Sequence, residues 1–253
     1  KSAVLEIYGL AFSVQIKFKG KLSQMGKERF NQNTGTEKLN MQDVLSMRSS
    51  GYYSQRTAGA KNAIDSVFPL ITDAINSLPE IEILRFADYG AADGGTSAEL
   101  WSKVISRLRA DGDLRDIEML YTDLPSNDFS TLFKTMQGMH GDISNAYQIQ
   151  NENVFVHGCG TGFHRQLMAA DRLSLGFSAT AMHYVSEKPC EIEDHVHMTG
   201  ANPDEKAKFE KQAAEDWQKI LLARAAEMKS GSKFIVLNFG IDEEGRYLGN
   251  TGG

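Results

Sequence analysis

The stretch LYTDLPSNDF, residues 120–129, begins as an apolar strand and ends in a cluster of polar side chains. The cluster includes Asp123, Asn127 and Asp128, which is more than a plain turn requires. Asp and Asn commonly cap turns by hydrogen bonding to the nearby backbone. In nucleotide-binding α/β folds, an acid at the end of this strand instead accepts hydrogen bonds from the hydroxyls of a ribose. From this stretch alone, both interpretations stay open.

Strands and helices alternate around this stretch. Helical spacing of apolar residues occurs in residues 62–78, interrupted by Pro69, and again in residues 96–110 and 203–229. Such alternation is typical of an α/β protein with a doubly wound, mostly parallel sheet. Five strands are predicted from short apolar runs: IEILRFADYG (81–90), IEMLYTD (117–123), NVFVHG (153–158), RLSLGFSA (172–179) and KFIVLNFG (233–240).

Two of these helices carry recognisable end signals. Thr96 is predicted to be the N-cap of the second helix, with Glu99 as its capping-box partner. The third helix is predicted to begin near Pro203 and to end at Lys229, with Gly231 as its stop. Because this third helix is charged and amphipathic, we interpret it as an ordinary surface helix.

Composition limits the class of protein. The 253 residues are 41% hydrophobic, enough for a sizeable core, and the net charge of −6 disfavours nucleic acid or an anionic membrane as partner. Two cysteines are too few for a disulfide framework, so a reduced, cytoplasmic setting is expected. No apolar run approaches the roughly 20 residues of a membrane helix. The tract EDHVHM (193–198) resembles a metal site but has no complementary cluster, so no metal is predicted.

Ligands of doubly wound sheets bind beyond the carboxyl ends of the strands, so the residues that follow each strand are candidates. The tract ADYGAADGGTS (87–97) allows a tight turn but departs from the G-x-G-x-x-G dinucleotide fingerprint. In HGCGTGFHRQL (157–167), Phe163 is either a stacking surface for an adenine or a core residue. After the fourth strand His183 and Tyr184 stand side by side. His183 either binds a carboxylate, acts as a base or is structural.

Five stretches occur in the order seen in the SABATH methyltransferases, a family of carboxyl and xanthine N-methyltransferases. The tract TDLPSNDF is similar to the family signature N-D-L-P-x-N-D-F. The resemblance implies a Rossmann-like methyltransferase fold with a helical cap, and S-adenosylmethionine as cofactor. It covers roughly residues 41–240, so residues 1–40 are predicted to be an N-terminal extension and residues 41–253 the methyltransferase domain. The stretches are GYYSQRTAGAKNAI (51–64), ADYGAADGGTS (87–97), LYTDLPSNDFSTLF (120–133), VHGCGTGFHRQL (156–167) and SATAMHYVSEKP (178–189).

The resemblance also implies site residues. Gly162 replaces a family serine, so a side-chain hydroxyl is lost there. In the acceptor pocket, His183 is retained, Tyr184 replaces a tryptophan and Thr180 replaces a tyrosine, which widens the pocket. Those three residues are expected to bind the acceptor. The residues expected to bind the cofactor are Tyr53, Thr57, Asp88, Gly90, Asp123, Leu124, Gly162 and Phe163.

The function that the resemblance implies is methyl transfer to the carboxylate of a small-molecule acid. A carboxylate is already ionised near neutral pH, so His183 and Tyr184 would position it and no acid–base catalyst is predicted. The alternatives are N-methylation of a small heterocycle and an inactive protein that only binds the cofactor. A nicotinamide-dependent oxidoreductase is disfavoured by the missing fingerprint. A homodimer is one option for the assembly.

The family implies a strand order of 3-2-1-4-5. Its members continue past the fifth strand, whereas this sequence stops at Gly253. We therefore expect that a C-terminal part is missing and that the fifth strand is an uncovered edge, which is an aggregation hazard. The alternatives are that a partner covers this edge or that AFSVQIKF (11–18), whose alternating pattern indicates a strand, folds against it.

Overall fold

The structure is a computed structural model that describes residues 4–9, 13–17 and 58–240. Its strands are β1 (Val4–Gly9), β2 (Ser13–Lys17), β3 (Ile83–Tyr89), β4 (Asp116–Asp123), β5 (Val154–Gly160), β6 (Leu173–Ala179) and β7 (Met228–Asn238). Its α-helices are α1 (Ala58–Ser66), α2 (Phe68–Asn76), α3 (Gly95–Ala110), α4 (Phe129–Met136), α5 (Tyr147–Gln150) and α6 (Pro203–Glu227), and single 3₁₀ turns lie at Ile143–Asn145 and Met198–Gly200.

The seven strands form one sheet in the order β2-β1-β7-β6-β3-β4-β5. All neighbouring pairs are parallel except β1 and β2, which are antiparallel. The five predicted strands are β3 to β7, and their order is the expected 3-2-1-4-5. The expectation of an uncovered fifth strand is wrong, because β1 pairs with β7 from Val4↔Lys233 to Gly9↔Asn238. The strand indicated in residues 11–18 is β2, which pairs with β1 and not with β7.

Successive side chains of each strand point to opposite faces of the sheet, and helices cover both faces. On one face, Leu84 and Phe86 of β3 are fully buried against α3, where the Trp101 ring stacks on Phe86 with centroids 5.6 Å apart. On the other face, Tyr89 and Phe234 form an edge-on aromatic pair in a core that includes Ile220 of α6. The doubly wound architecture therefore follows from apolar side chains on both faces of the central strands.

Helix α3 begins differently from the prediction. Gly94 is its N-cap, in a left-handed conformation with φ of 75°, and no side chain caps the helix. Thr96 lies inside the first turn. Glu99 is held by Lys103 at 2.6 Å and by Lys61, so it is not available to close a capping box. The predicted Thr96 cap is wrong because the glycine turn itself leads the chain into the helix.

Helix α6 begins as predicted, with Pro203 in its first turn and a capping box between Asn202 and Glu205. Its predicted end is wrong. The helix stops at Glu227 because Met228 is already extended (φ −77°, ψ 137°). Lys229 and Gly231 belong to β7, where four residues of β7 (229–232) stand opposite one of β6 (Ser174) between the pairs Leu173↔Met228 and Leu175↔Lys233. Gly231, with φ of 86°, supplies the turn of this bulge.

Candidate functional site

The polar cluster that follows β4 joins two loops. Asp123 accepts a hydrogen bond from the backbone N–H of Leu124 on Oδ1 and from that of Ala92 on Oδ2, both at 2.7 Å. The Asn127 carboxamide donates to the Ala92 carbonyl at 2.6 Å. Asp128 caps α4 by accepting from the Thr131 N–H at 3.1 Å. The turn-capping interpretation is therefore correct for Asp128, and it accounts for only part of the bonding capacity of Asp123. It is wrong for Asn127, whose side chain bonds to the loop after β3 and not within its own turn.

Asp123 keeps acceptor capacity for a ligand. Each carboxylate oxygen has two lone pairs and receives a single backbone N–H among the described residues. Burial raises the pKa of Asp123, and the N–H groups of Leu124 and Ala92 lower it in part. A cis-diol that donated to this carboxylate would complete its hydrogen bonding.

Asp88 lies at the end of β3 but faces the protein interior. Its Oδ2 accepts from the Ser97 hydroxyl at 2.6 Å and from the Trp101 indole N–H at 3.1 Å, both on α3. Burial raises the pKa of Asp88 to about 6, opposed by those two hydrogen bonds and assisted by the charge of Asp123. The structure therefore places Asp88 as the link between β3 and the first turns of α3.

The loops after β3, β5 and β6 meet at Gly90. A Cβ atom built on Gly90 would lie 2.3 Å from the Ala181 Cβ and 3.5 Å from the Phe163 Cε1, and the φ of Gly90 is 75°. Leu124 approaches Gly162 in the same way, with its Cδ2 at 3.5 Å from a Cβ built there. Of the eight predicted cofactor residues, the structure brings together Gly90, Asp123, Leu124, Gly162 and Phe163.

Two predicted cofactor residues, Tyr53 and Thr57, lie outside the described residues. Within the described ranges, no group of three or more His, Cys, Asp or Glu side chains could hold a metal ion. No helix of residues 58–240 is both long and apolar enough to cross a membrane.

The predicted acceptor residues follow β6. The rings of His183 and Tyr184 lie with centroids 4.4 Å apart, and Phe239 packs 4.7 Å from His183. The Thr180 N–H donates to the Leu237 carbonyl at 2.9 Å, with Thr180 in a left-handed conformation of φ 51°. Although His183 reaches solvent, burial of part of its ring lowers the pKa of His183, and the Asn238 side chain raises it in part.

A cavity of about 200 Å³ opens between this segment and α6, with His183, Tyr184, Trp217 and Asn238 among its lining residues. The predictions from sequence did not include Asn238. The signal available was its position, since it is the last residue of β7 and strand ends carry the ligand contacts in this fold.

The sequence predictions also missed the buried polar face of α6. Asp216, Arg224 and Glu227 are each at most 2% exposed. Asp216 holds the acceptor segment by accepting from the Ser186 N–H at 2.7 Å and the Ser186 hydroxyl at 2.8 Å. The interpretation of α6 as an ordinary surface helix is therefore wrong. With Ile220, these residues recur at helical spacing, which could have shown that this charged face is buried.

Comparison with known proteins identifies the family. The family model of SAM-dependent carboxyl methyltransferases matches residues 42–251. Methyltransferase FUS9 of Gibberella moniliformis is 29% identical over 193 residues, which is 75% of this chain and 50% of that protein. Indole-3-acetate O-methyltransferase 1 of Arabidopsis thaliana is 26% identical over 60% of this chain and 44% of its own length. A protein of Theobroma cacao named "Probable 7-methylxanthine methyltransferase 5" is 25% identical over 68% and 49%. The chain thus spans about half the length of the curated relatives it matches.

The fold is also found in a solved structure. A loganic acid methyltransferase with SAH superimposes with a TM-score of 0.64 at 20% identity, covering 83% of this chain and 62% of that one. This likeness confirms the predicted Rossmann-like methyltransferase fold. The family match covers most of the chain and confirms the predicted family, whose cofactor is S-adenosylmethionine. The chain belongs to the SAM-dependent carboxyl methyltransferases.

Proposed function

We propose that the protein transfers the methyl group of S-adenosylmethionine to the carboxylate of a small-molecule acid, and that residues 41–253 carry this activity. The observation that carries the proposal is the convergence of the strand-end loops at Gly90, with Asp123 on one side and the His183–Tyr184 pair following β6. The membership of the chain in a carboxyl methyltransferase family supports the chemistry.

The residues present fit an adenosine-containing cofactor. Asp123 has unused acceptor capacity for the ribose hydroxyls. The space beside Gly162 is open apart from Leu124, and the Phe163 ring lies next to Gly90, so an apolar surface for the adenine is available. When bound, the sulfonium of the cofactor supplies an activated methyl group.

His183 and Tyr184 would bind and orient the acceptor. Because its lowered pKa keeps the His183 imidazole neutral near pH 7, one ring nitrogen donates a hydrogen bond and the other accepts. The Tyr184 hydroxyl supplies a second donor. Two donors suit a carboxylate, which needs alignment with the methyl group and exclusion of water, but no base.

The similarity to the xanthine methyltransferase relative supports a second candidate, N-methylation of a small heterocycle. Such an acceptor must present a nitrogen with a free lone pair, so a ring N–H would have to be deprotonated. The two candidates are separated by the pH dependence of turnover. Transfer to a carboxylate should stay constant above about pH 6, where acids of ordinary pKa are ionised, whereas transfer to an azole nitrogen should rise with pH.

The first test is binding of S-adenosylhomocysteine by calorimetry to the wild type and to Asp123→Ala. Loss of charge-assisted hydrogen bonds to the ribose should weaken binding by roughly 10-fold to 100-fold. Asp116→Ala, at the exposed amino end of the same strand, is the matched control and should bind as the wild type does. A panel of acids and azoles with labelled methyl donor then identifies the acceptor class. Equal affinity of Asp123→Ala and wild type would refute the site, and binding without any transfer would favour the inactive protein.

A further inference from the structure

The carboxyl end of α6 carries a buried ion pair that contacts the loop after β5, residues 162–167. Arg224 and Glu227 are 1% and 0% exposed, and their side chains form two parallel hydrogen bonds, Nε to Oε2 and Nη2 to Oε1, both at 2.8 Å. Removing two charges from water is expensive, and a buried pair is often no more stabilising than apolar side chains of the same volume. Its presence therefore calls for a role beyond stability.

Two further donors of Arg224 bond to one loop. Its Nη1 donates to the Phe163 carbonyl at 2.7 Å and its Nη2 to the Arg165 carbonyl at 2.6 Å. Glu227 in turn accepts from the Leu167 N–H. Three backbone groups of a short segment are thus fixed by two side chains of one helical turn. The planar fork of a guanidinium suits this task because its donors have a fixed geometry.

The same pair also reaches the glycine turn after β3. The Tyr89 hydroxyl donates to the Glu227 Oε2 at 2.6 Å, and the Arg224 guanidinium lies 4.2 Å above the Tyr89 ring. Tyr89 immediately precedes Gly90, where an added Cβ would lie 3.5 Å from the Phe163 ring. The pair therefore contacts both segments that would enclose the adenosine, the end of β3 before Gly90 and residues 163–167.

We propose that Arg224 and Glu227 are positioning residues for cofactor binding, which hold the loop of residues 162–167 so that Phe163 stands opposite Gly90. This inference rests on the proposed site. Neither side chain is expected to touch the cofactor, so the pair acts on affinity through Phe163. Binding residues generally depend on supporting residues of this kind, which hold them in the geometry that binding requires.

The test measures the affinity for S-adenosylhomocysteine of Glu227→Gln, Phe163→Ala and the double variant, with melting temperatures as the measure of folding. The matched control is Glu205→Gln, which makes the same substitution on a buried carboxylate at the other end of α6. Glu227→Gln should weaken binding at least fivefold, the low end of typical coupling between a remote residue and a site. Glu205→Gln should leave the affinity unchanged. In the Phe163→Ala background, most of the Glu227→Gln effect should disappear, because residues that act as a unit are non-additive.

Wild-type affinity in a folded Glu227→Gln variant would overturn the inference, and so would an undiminished effect in the Phe163→Ala background. Should Glu227→Gln fail to fold, Arg224→Lys provides the same test, since it keeps a buried cation and loses the fork to the two carbonyls. If Phe163→Ala and Asp123→Ala both bind as tightly as the wild type, the proposed site is wrong and the role of the pair falls with it. If those two variants lose affinity and Glu227→Gln and Arg224→Lys do not, the positioning role alone is refuted.

Discussion

At the scale of single residues, the charge state of Asp88 is set by its surroundings. Asp88 is 3% exposed and its carboxyl group is bonded to α3, and burial raises the pKa of Asp88 to about 6 from an ordinary value of 3.8. Between those values, the folded state holds a proton that the unfolded state has released. The free energy of unfolding therefore falls as the pH rises through this window.

Asp88→Asn should remove this dependence, because the carboxamide oxygen still accepts from Ser97 and Trp101 while no charge is buried. Relative to the wild type, its free energy of unfolding should increase by roughly 2 kcal/mol from about pH 4.5 to about pH 7.5. Urea unfolding at a series of pH values measures the difference. Asp116→Asn, an exposed position on β4, is the control. Parallel pH curves for Asp88→Asn and wild type would contradict the assigned cause.

Prediction from the sequence located the polar cluster after β4 but could not divide the roles among its members. Asp128 bonds to a residue three positions away, so its capping role follows from local spacing. Asp123 and Asn127 bond to Ala92, more than 30 residues distant. The backbone of Ala92 has a φ of 51°, a conformation that no sequence rule requires of an alanine. Contacts of this kind depend on the packing of two loops and become visible only in the fold.

At the scale of elements, the turn between β3 and α3 depends on close approach to its neighbours. Gly90 and Gly112 both have positive φ, 75° and 82°, but a Cβ on Gly90 would collide with Ala181 whereas a Cβ on Gly112 would meet nothing within 4 Å. The two glycines therefore differ in the space around them and hardly in backbone conformation. Comparison of the free energies of unfolding of Gly90→Ala and Gly112→Ala therefore separates the cost of the steric contact from the cost of the left-handed backbone conformation.

Gly112→Ala should lower the free energy of unfolding by about 1–2 kcal/mol, the cost of a left-handed residue with a Cβ. Gly90→Ala should lower it by a further 1–3 kcal/mol, roughly the cost of overpacking, and should also weaken S-adenosylhomocysteine binding. Urea unfolding and calorimetry measure the two effects. Equal destabilisation by both substitutions would show that the contact with Ala181 relaxes without cost.

Helix α6 shows which features of an element can be predicted. Its existence and its start followed from length, Pro203 and acids in the first turn, all of which are local. Its end did not, because the bulge at Gly231 arises from pairing with β6 and resembles a helix stop in the sequence. Its buried charges were also missed, since a charged side chain is assigned to the surface unless its partners are known.

At the scale of the whole molecule, the five strands β3 to β7 were predictable from the alternation of strands and helices, and their order from the family resemblance. The position of β1 was not. Residues 4–9 pair with residues 233–238, at the far end of the described chain, and no local pattern specifies such a contact. The sheet is therefore extended beyond the fifth predicted strand by segments outside the range of the family match.

The pairing of β1 with β7 leads to a prediction for the N-terminal segment. Without β1 and β2, a row of backbone N–H and C=O groups on β7 would lose its partners and could pair with another chain. Removal of residues 1–17 should lower the melting temperature by at least about 4 °C, equivalent to roughly 1–2 kcal/mol in a chain of this size, and should increase light scattering on heating. Removal of residues 1–3 alone is the control, because it leaves both strands in place. If the chain without residues 1–17 melts like the full chain and scatters no more light, the two strands contribute nothing to the stability of the sheet, and the edge of β7 is protected by other means.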